Sequence, residues 1–188
     1  VIVQQDWLRS AVSSLCKIDS DKIIVSYPEF ESAFIKSYTK EEVIYLWIVS
    51  FIFIQVVSIS TSILNPYLFH YDSAYFQTMG KLWTKGILPY RDFFDQKGPL
   101  HYLINAVAYL TRFHRLSLSI IQSVFMTITL FEVYCFLSKH LSLKKTLFSM
   151  LCILAFLGYM FDSGNMTEEY SMPFLMISFI KEFEWFLT

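Results

Sequence analysis

Val43 to Leu64 reads VIYLWIVSFIFIQVVSISTSIL, 22 residues without a formal charge. A helix rises 1.5 Å per residue, so this run reaches roughly 33 Å, enough to cross the hydrocarbon core of a bilayer. Lys36 and Lys40 precede it, and short lysine-bearing segments mark the cytoplasm, so the span is expected to start there. Asn65 and Pro66 end it, because proline disfavours a helical residue before it. The composition agrees, with 55% hydrophobic and 16% charged residues and a mean hydropathy of +0.46. That is too apolar for an ordinary soluble domain of this length.

Before this span, residues 1–41 are mixed and polar, and are expected to be a cytoplasmic N-terminal segment. DWLRSAVSSLCKI and ESAFIKSYTKEE have the spacing of two short amphipathic helices, and no signal-peptide core is present. A net charge of −1 without a basic cluster gives no reason to expect a nucleic-acid partner. Cys16, Cys135 and Cys152 are scattered and imply neither a zinc site nor a disulfide framework. The chain starts at Val1 and ends at Thr188 in an apolar run, so it is expected to be the N-terminal part of a longer protein.

After the span the pattern changes. From Asp72, the residues Tyr75, Phe76, Met79, Leu82 and Trp83 recur at helical spacing with polar residues between them. This predicts an amphipathic helix of about fourteen residues lying in the membrane interface. Gly86 and Pro89 close it. Leu100 to Leu110 is an apolar run too short to cross. Full-length candidates follow at 116–138, with Glu132 inside it, at 146–161 and at 171–188, the last weakened by Lys181, Glu182 and Glu184. The expected fold is therefore all-α. Residues 42–188 would form a polytopic membrane helix bundle with four spans, at about 43–64, 116–138, 146–161 and 171–188.

Sidedness follows from counting crossings. If 100–110 does not cross, loops 65–115 and 162–170 share one face, and Lys139, Lys144 and Lys145 share the other with the N-terminus. The lysines mark the cytoplasm, so both acidic loops are expected outside. Arg112 and Arg115 pull the other way. The chain is thus read as a multi-pass cell-membrane protein with a cytoplasmic N-terminus.

The first loop, YDSAYFQTMGKLWTKGILPYRDFFDQKGPLH (Tyr71–His101), concentrates charge just beyond a membrane span. Asp72 suits either a helix N-cap or a general base at the membrane surface. Asp92 and Asp95 read as turn residues or as site residues. Arg91 and Lys97 offer phosphate contacts, Arg by its planar fork and Lys as a point charge, or else interfacial anchors. In the second loop Glu168 and Glu169, beside Asn165, stand where a helix dipole favours negative charge. Two adjacent carboxylates there also suggest a site. Glu132 within an apolar run requires a partner or a cavity. His101 and His114 read as ordinary interfacial histidines. Sugar transfer from a lipid phosphate needs a carboxylate to activate the acceptor and cations to stabilise the departing phosphate, and these loops carry both.

The run Asp72, then Gly86-x-x-Pro89-Tyr90-Arg91-Asp92-Phe93-Phe94-Asp95-x-Lys97-Gly98-Pro99, resembles bacterial membrane glycosyltransferases of the GT-C superfamily. The group in question is related to dolichyl-phosphate-mannose protein mannosyltransferases. Gly164 to Phe174 (GNMTEEYSMPF) is similar to that group's second exoplasmic loop, and the combined likeness covers roughly residues 43–180. The resemblance implies an inverting transferase that moves a sugar from a polyprenyl-phosphate-linked donor to an exoplasmic acceptor, with membrane lipid around it. It implies Asp72 as the catalytic or acceptor-positioning carboxylate and Glu168 or Glu169 as the second-loop acid. Tyr90, Arg91, Asp92, Asp95, Lys97 and Asn165 would contact substrate or phosphate. No cofactor is implied for certain. Some relatives bind a divalent metal, for which Asp72 and Glu168 would be the ligands here. Many relatives carry Asp-Glu where this chain has Asp72-Ser73, and they have more membrane helices. The competing readings are a non-catalytic multi-pass protein, such as a transporter or assembly component, and an inactive truncated remnant.

Overall fold

A computed structural model describes residues 2–3, 24–25, 39–65 and 70–187. The chain divides into two compact units, Val1–Lys40 and Glu41–Thr188. In the first, strands β1 (Ile2–Val3) and β2 (Ile24–Val25) pair in parallel, Ile2 opposite Ile24. The amphipathic helix expected at DWLRSAVSSLCKI lies outside the described residues, as do Pro66 and the first eight residues of ESAFIKSYTKEE, whose last three, Lys40 to Glu42, open the long helix that follows.

The second unit is helical among its described residues. The six helices are α1 (Lys40–Val57), α2 (Tyr71–Trp83), α3 (Pro99–Tyr109), α4 (His114–His140), α5 (Leu143–Met160) and α6 (Thr167–Leu187). By length and composition α4 and α5 are long and apolar enough to cross a membrane. α1 opens with Lys40, Glu41 and Glu42, and α6 carries Lys181, Glu182 and Glu184 towards its end. Outward faces of α1, α5 and α6 are apolar, with Ile44, Val56, Phe148, Phe156, Phe174 and Phe179 all exposed. Exposed apolar surface on that scale marks a lipid or protein contact rather than water.

Two cores hold the long helices together. Ile54 of α1, Met126, Leu130 and Val133 of α4, and Met150, Leu157 and Phe161 at α5 form one. Ile104 and Ala108 of α3, Leu118 of α4 and Tyr170 of α6 form the other. α3 has eleven residues, roughly 16 Å of rise, about half a bilayer core.

The first apolar run does not stay helical to Leu64. α1 stops at Val57, and residues 58–62 turn through the interior, with Ser58, Ser60, Thr61 and Ser62 all fully buried, before the chain comes out at Ile63 and Leu64. Buried hydroxyls and amides need partners, and distant residues supply them. Gln55 Oε1 accepts from the Ile63 amide at 2.9 Å, and the Ser60 amide donates to the Ser163 carbonyl at 2.9 Å. One amino group of Arg115 donates to the carbonyls of Ile59, Ser62 and Asn65 at 3.2, 3.1 and 2.9 Å. The turn is thus pinned by α4 and by the 162–166 loop. Gly164, at φ +92°, is pressed so closely on Ser58 that any Cβ there would overlap it.

α2 and α3 are separated by Gly80. A Cβ at that position would stand 2.6 Å from the Asn105 backbone carbon, so only a bare α-carbon permits the approach. α6 contains Pro173. Proline lacks an amide hydrogen, so the Glu169 carbonyl, four residues earlier, has no helical donor there.

Candidate functional site

The two polar loops meet at one end of the bundle. His101, near the start of α3, is 3% exposed, and its Nδ1 lies 3.1 Å from Thr167 Oγ1 at the start of α6. The Phe76 ring of α2 covers it, centroids 4.1 Å apart, and Tyr170 stands 5.3 Å away. Burial pushes the His101 imidazole down to about 4; Asn165 and Glu168 raise it in part, and Lys97 lowers it further. The ring is therefore neutral at physiological pH. Its Nε2 is buried with no hydrogen-bond partner among the described residues.

Behind His101 lies a second layer. Asn105, one helical turn on, donates to the His101 carbonyl at 2.9 Å and accepts from Asn165 Nδ2 at 3.0 Å. Tyr170 donates its hydroxyl to Asn165 Oδ1 at 2.7 Å. Asn165 sits at φ +60° with no exposed surface. It knots the second loop to α3.

The two candidate second-loop acids separate. Glu168 is exposed and is, with Lys97, a charged neighbour of His101. Glu169 is 3% exposed and points into the bundle. It accepts hydrogen bonds from Gln122 Nε2 and, at 3.3 Å, from Ser58 Oγ. Thr61 donates to Gln122 Oε1 at 2.5 Å. Burial pushes the Glu169 carboxyl up to about 8, offset in part by these donors.

Asp72 lies in the first turn of α2 and is exposed. The N-cap is His70, in extended conformation and without a side-chain cap, so Asp72 is not the capping residue. It is favoured there by the helix dipole instead. Asp72 precedes Tyr75 and Phe76 by three and four residues, so it shares their helical face, the one that covers His101. Asp72 and Glu168 share no hydrogen-bond partner among those found between described residues.

Most of the first-loop candidates build the loop itself. Tyr90, at φ +62°, takes the Phe93 carbonyl at 2.7 Å with its amide and donates its hydroxyl to the Lys97 carbonyl. Arg91 pairs with Asp92 at 2.6 Å and donates to the Gly86 carbonyl at 2.8 Å. Asp92 Oδ2 accepts the Leu88 amide at 2.7 Å, and the Arg91 guanidinium holds its carboxyl below the usual range. Asp95 accepts from the Tyr102 hydroxyl and from the Gln96 amide at 2.7 Å. Among the described residues the Lys97 ammonium enters none of these bonds.

His101, Tyr102, Asn105, Gln122 and Tyr170 complete the arrangement, and none was singled out for it from the sequence. The four-residue step from His101 to Asn105 was a readable signal, since it places both on one helical face. Gln122 and Tyr170 carried none. Glu132 is 8% exposed on α4, with Lys181, Glu184 and Lys139 as its charged neighbours, and lies away from this site. Among the described residues no three His, Cys, Asp or Glu side chains gather as metal ligands. The chemistry on offer is an exposed acid beside a neutral buried imidazole and a lysine, with a second acid on the neighbouring helix. No family model, curated protein or solved structure matches this chain.

Proposed function

We propose that the chain carries the donor and acceptor end of a membrane glycosyltransferase. It would move a sugar from a polyprenyl-phosphate-linked donor to an acceptor hydroxyl at the exoplasmic surface. Four spans would hold it in the cell membrane, α1, α4, α5 and the part of α6 from Ser171, with the N-terminus in the cytoplasm. α2 and α3 would lie in the interface.

The observation that carries this reading is the contact of the two polar loops, His101 to Thr167 at 3.1 Å, at one end of the helices. It brings Lys97, Glu168 and the Asp72 face of α2 around one place. In the proposed step a carboxylate, Asp72 foremost, takes the proton of the acceptor hydroxyl. The acceptor oxygen bonds to the anomeric carbon as the bond from that carbon to the phosphate oxygen breaks, inverting the centre. The electron pair leaves on the polyprenyl phosphate, where Lys97 meets the charge. Exposure favours Glu168 over Glu169 as the second acid. Glu169 serves as scaffold.

Polar groups inside a bundle and a proline-broken helix would also fit a transporter. Here the buried knot of Ser58, Thr61, Gln122 and Glu169 lies at the loop end rather than midway, which supports surface chemistry. The test uses membranes containing the protein and a panel of polyprenyl-phosphate hexoses labelled in the sugar. Label should pass to a membrane or wall acceptor, and Asp72→Asn and Lys97→Gln should each slow transfer by about a hundredfold or more. Transfer no faster than in membranes lacking the protein would reject the reading.

A further inference from the structure

Three elements meet on the far side of α2 from His101. Lys81 of α2 holds its ammonium 5.5 Å from the centre of the Tyr109 ring of α3. That ring lies 5.5 Å from the imidazole of His114, the first residue of α4. With Ala74, Gln77 and Thr78 these side chains line an open cavity of about 290 Å³. No carboxylate is among its lining residues. Gln77 spends one amide hydrogen on Ser73 Oγ at 3.2 Å, leaving the other for a ligand. Lys81 enters no ion pair among the described residues.

We propose that this cavity binds the phosphate of an anionic glycerophospholipid head group. The donors are those a phosphate ester needs: an ammonium, an amide hydrogen and an imidazole N–H, with no competing anion. The source is argued from position. α4 is one of the two helices able to cross a membrane, and its first residue lines the cavity. The opening therefore lies where that helix would leave the hydrocarbon, at the depth of lipid phosphates. Leu110 and Phe113, in the short connection before α4, are 75% and 66% exposed, apolar enough to flank such a lipid. This inference is independent of sugar transfer and would stand for a transporter as well.

The full chain in a non-ionic detergent is titrated with short-chain phosphatidylglycerol and, separately, with short-chain phosphatidylcholine, and bound lipid is read by native mass spectrometry. Phosphatidylglycerol should bind at least about tenfold more tightly. Lys81→Gln should remove about tenfold of that affinity, Lys81→Arg should keep it, and Lys85→Gln, outside the lining, should change nothing. Lys81 is exposed, and unchanged thermal midpoints without lipid confirm that the variants fold. Equal binding of the two lipids, or full affinity in Lys81→Gln, overturns the proposal. Displacement by millimolar inorganic phosphate would overturn the lipid assignment and leave a soluble phosphate as the ligand.

Discussion

Alanine at Gly80 sets two effects against each other, and the structure decides which wins. Gly80 is buried inside α2, where alanine is favoured by about 1 kcal/mol on helix propensity alone. The added Cβ, however, would lie 2.6 Å from both the backbone carbon and the Cβ of Asn105, and 2.7 Å from the Ala106 nitrogen. Two of those three atoms are backbone and cannot rotate aside. Reaching ordinary contact at 3.4 Å requires the two helices to part by about 0.8 Å. Overpacking of that kind costs about 1–3 kcal/mol. The shift also strains the Asn105 bonds to Asn165, each worth about 1 kcal/mol. The net expectation is a loss of about 1–3 kcal/mol. Gly158 in α5 is the comparison, since its Cβ would meet Val57 Cγ2 at 3.5 Å, an ordinary contact. Gly158→Ala should be neutral or stabilising by up to about 1 kcal/mol. Unfolding of both variants in detergent, followed by circular dichroism, measures the difference. A Gly80→Ala protein as stable as the parent, or indistinguishable from Gly158→Ala, would refute the close packing of α2 on α3.

Two further outcomes follow from the buried polar groups. Arg115→Ala removes one amino group whose two N–H bonds are shared among the carbonyls of Ile59, Ser62 and Asn65 and should cost about 2–3 kcal/mol in unfolding free energy; proteolysis should then begin within residues 58–65, and cleavage elsewhere first would contradict the pinning role. Glu169, raised to about 8 in the fold from an ordinary 4.5, binds its proton more tightly folded than unfolded. Between about pH 4.5 and 6.5 this is opposed by His101, lowered to about 4 from 6.5, whose neutral ring stabilises the fold increasingly as pH rises. Stability should therefore fall from about pH 6.5 to 8 and level off above that, and Glu169→Gln should remove that fall, whereas a fall that persists unchanged in Glu169→Gln would show that this carboxyl does not cause it.

How much could be read beforehand differs by element. α4 and α5 were legible because nothing in their sequences interrupts them, and α3 because Gly98-Pro99 opens a short, mostly apolar run. The end of α1 was not. Through Leu64 the run holds neither proline nor glycine, and Ser58 to Ser62 can leave the helix only because Gln55, Arg115 and Ser163 satisfy the freed groups. Two of those partners lie more than fifty residues away in sequence, beyond any local pattern. The same limit separates Glu168 from Glu169. Adjacent in sequence, they are told apart by Gln122 and Ser58, which reach Glu169 from distant parts of the chain. Asp72 was correctly placed at the head of a helix, but two residues too late to cap it, since His70 opens the turn.

Pro173 has a mechanical consequence. Without an amide at that position, no main-chain bond ties the Glu169 carbonyl to the next turn of α6. The first turn, which carries Thr167, Glu168 and Glu169, is fastened to His101, Ser58 and Gln122 instead. It belongs mechanically to the loops. The remaining length of α6 can bend at Pro173, where that one tie is missing, while the acids keep their places.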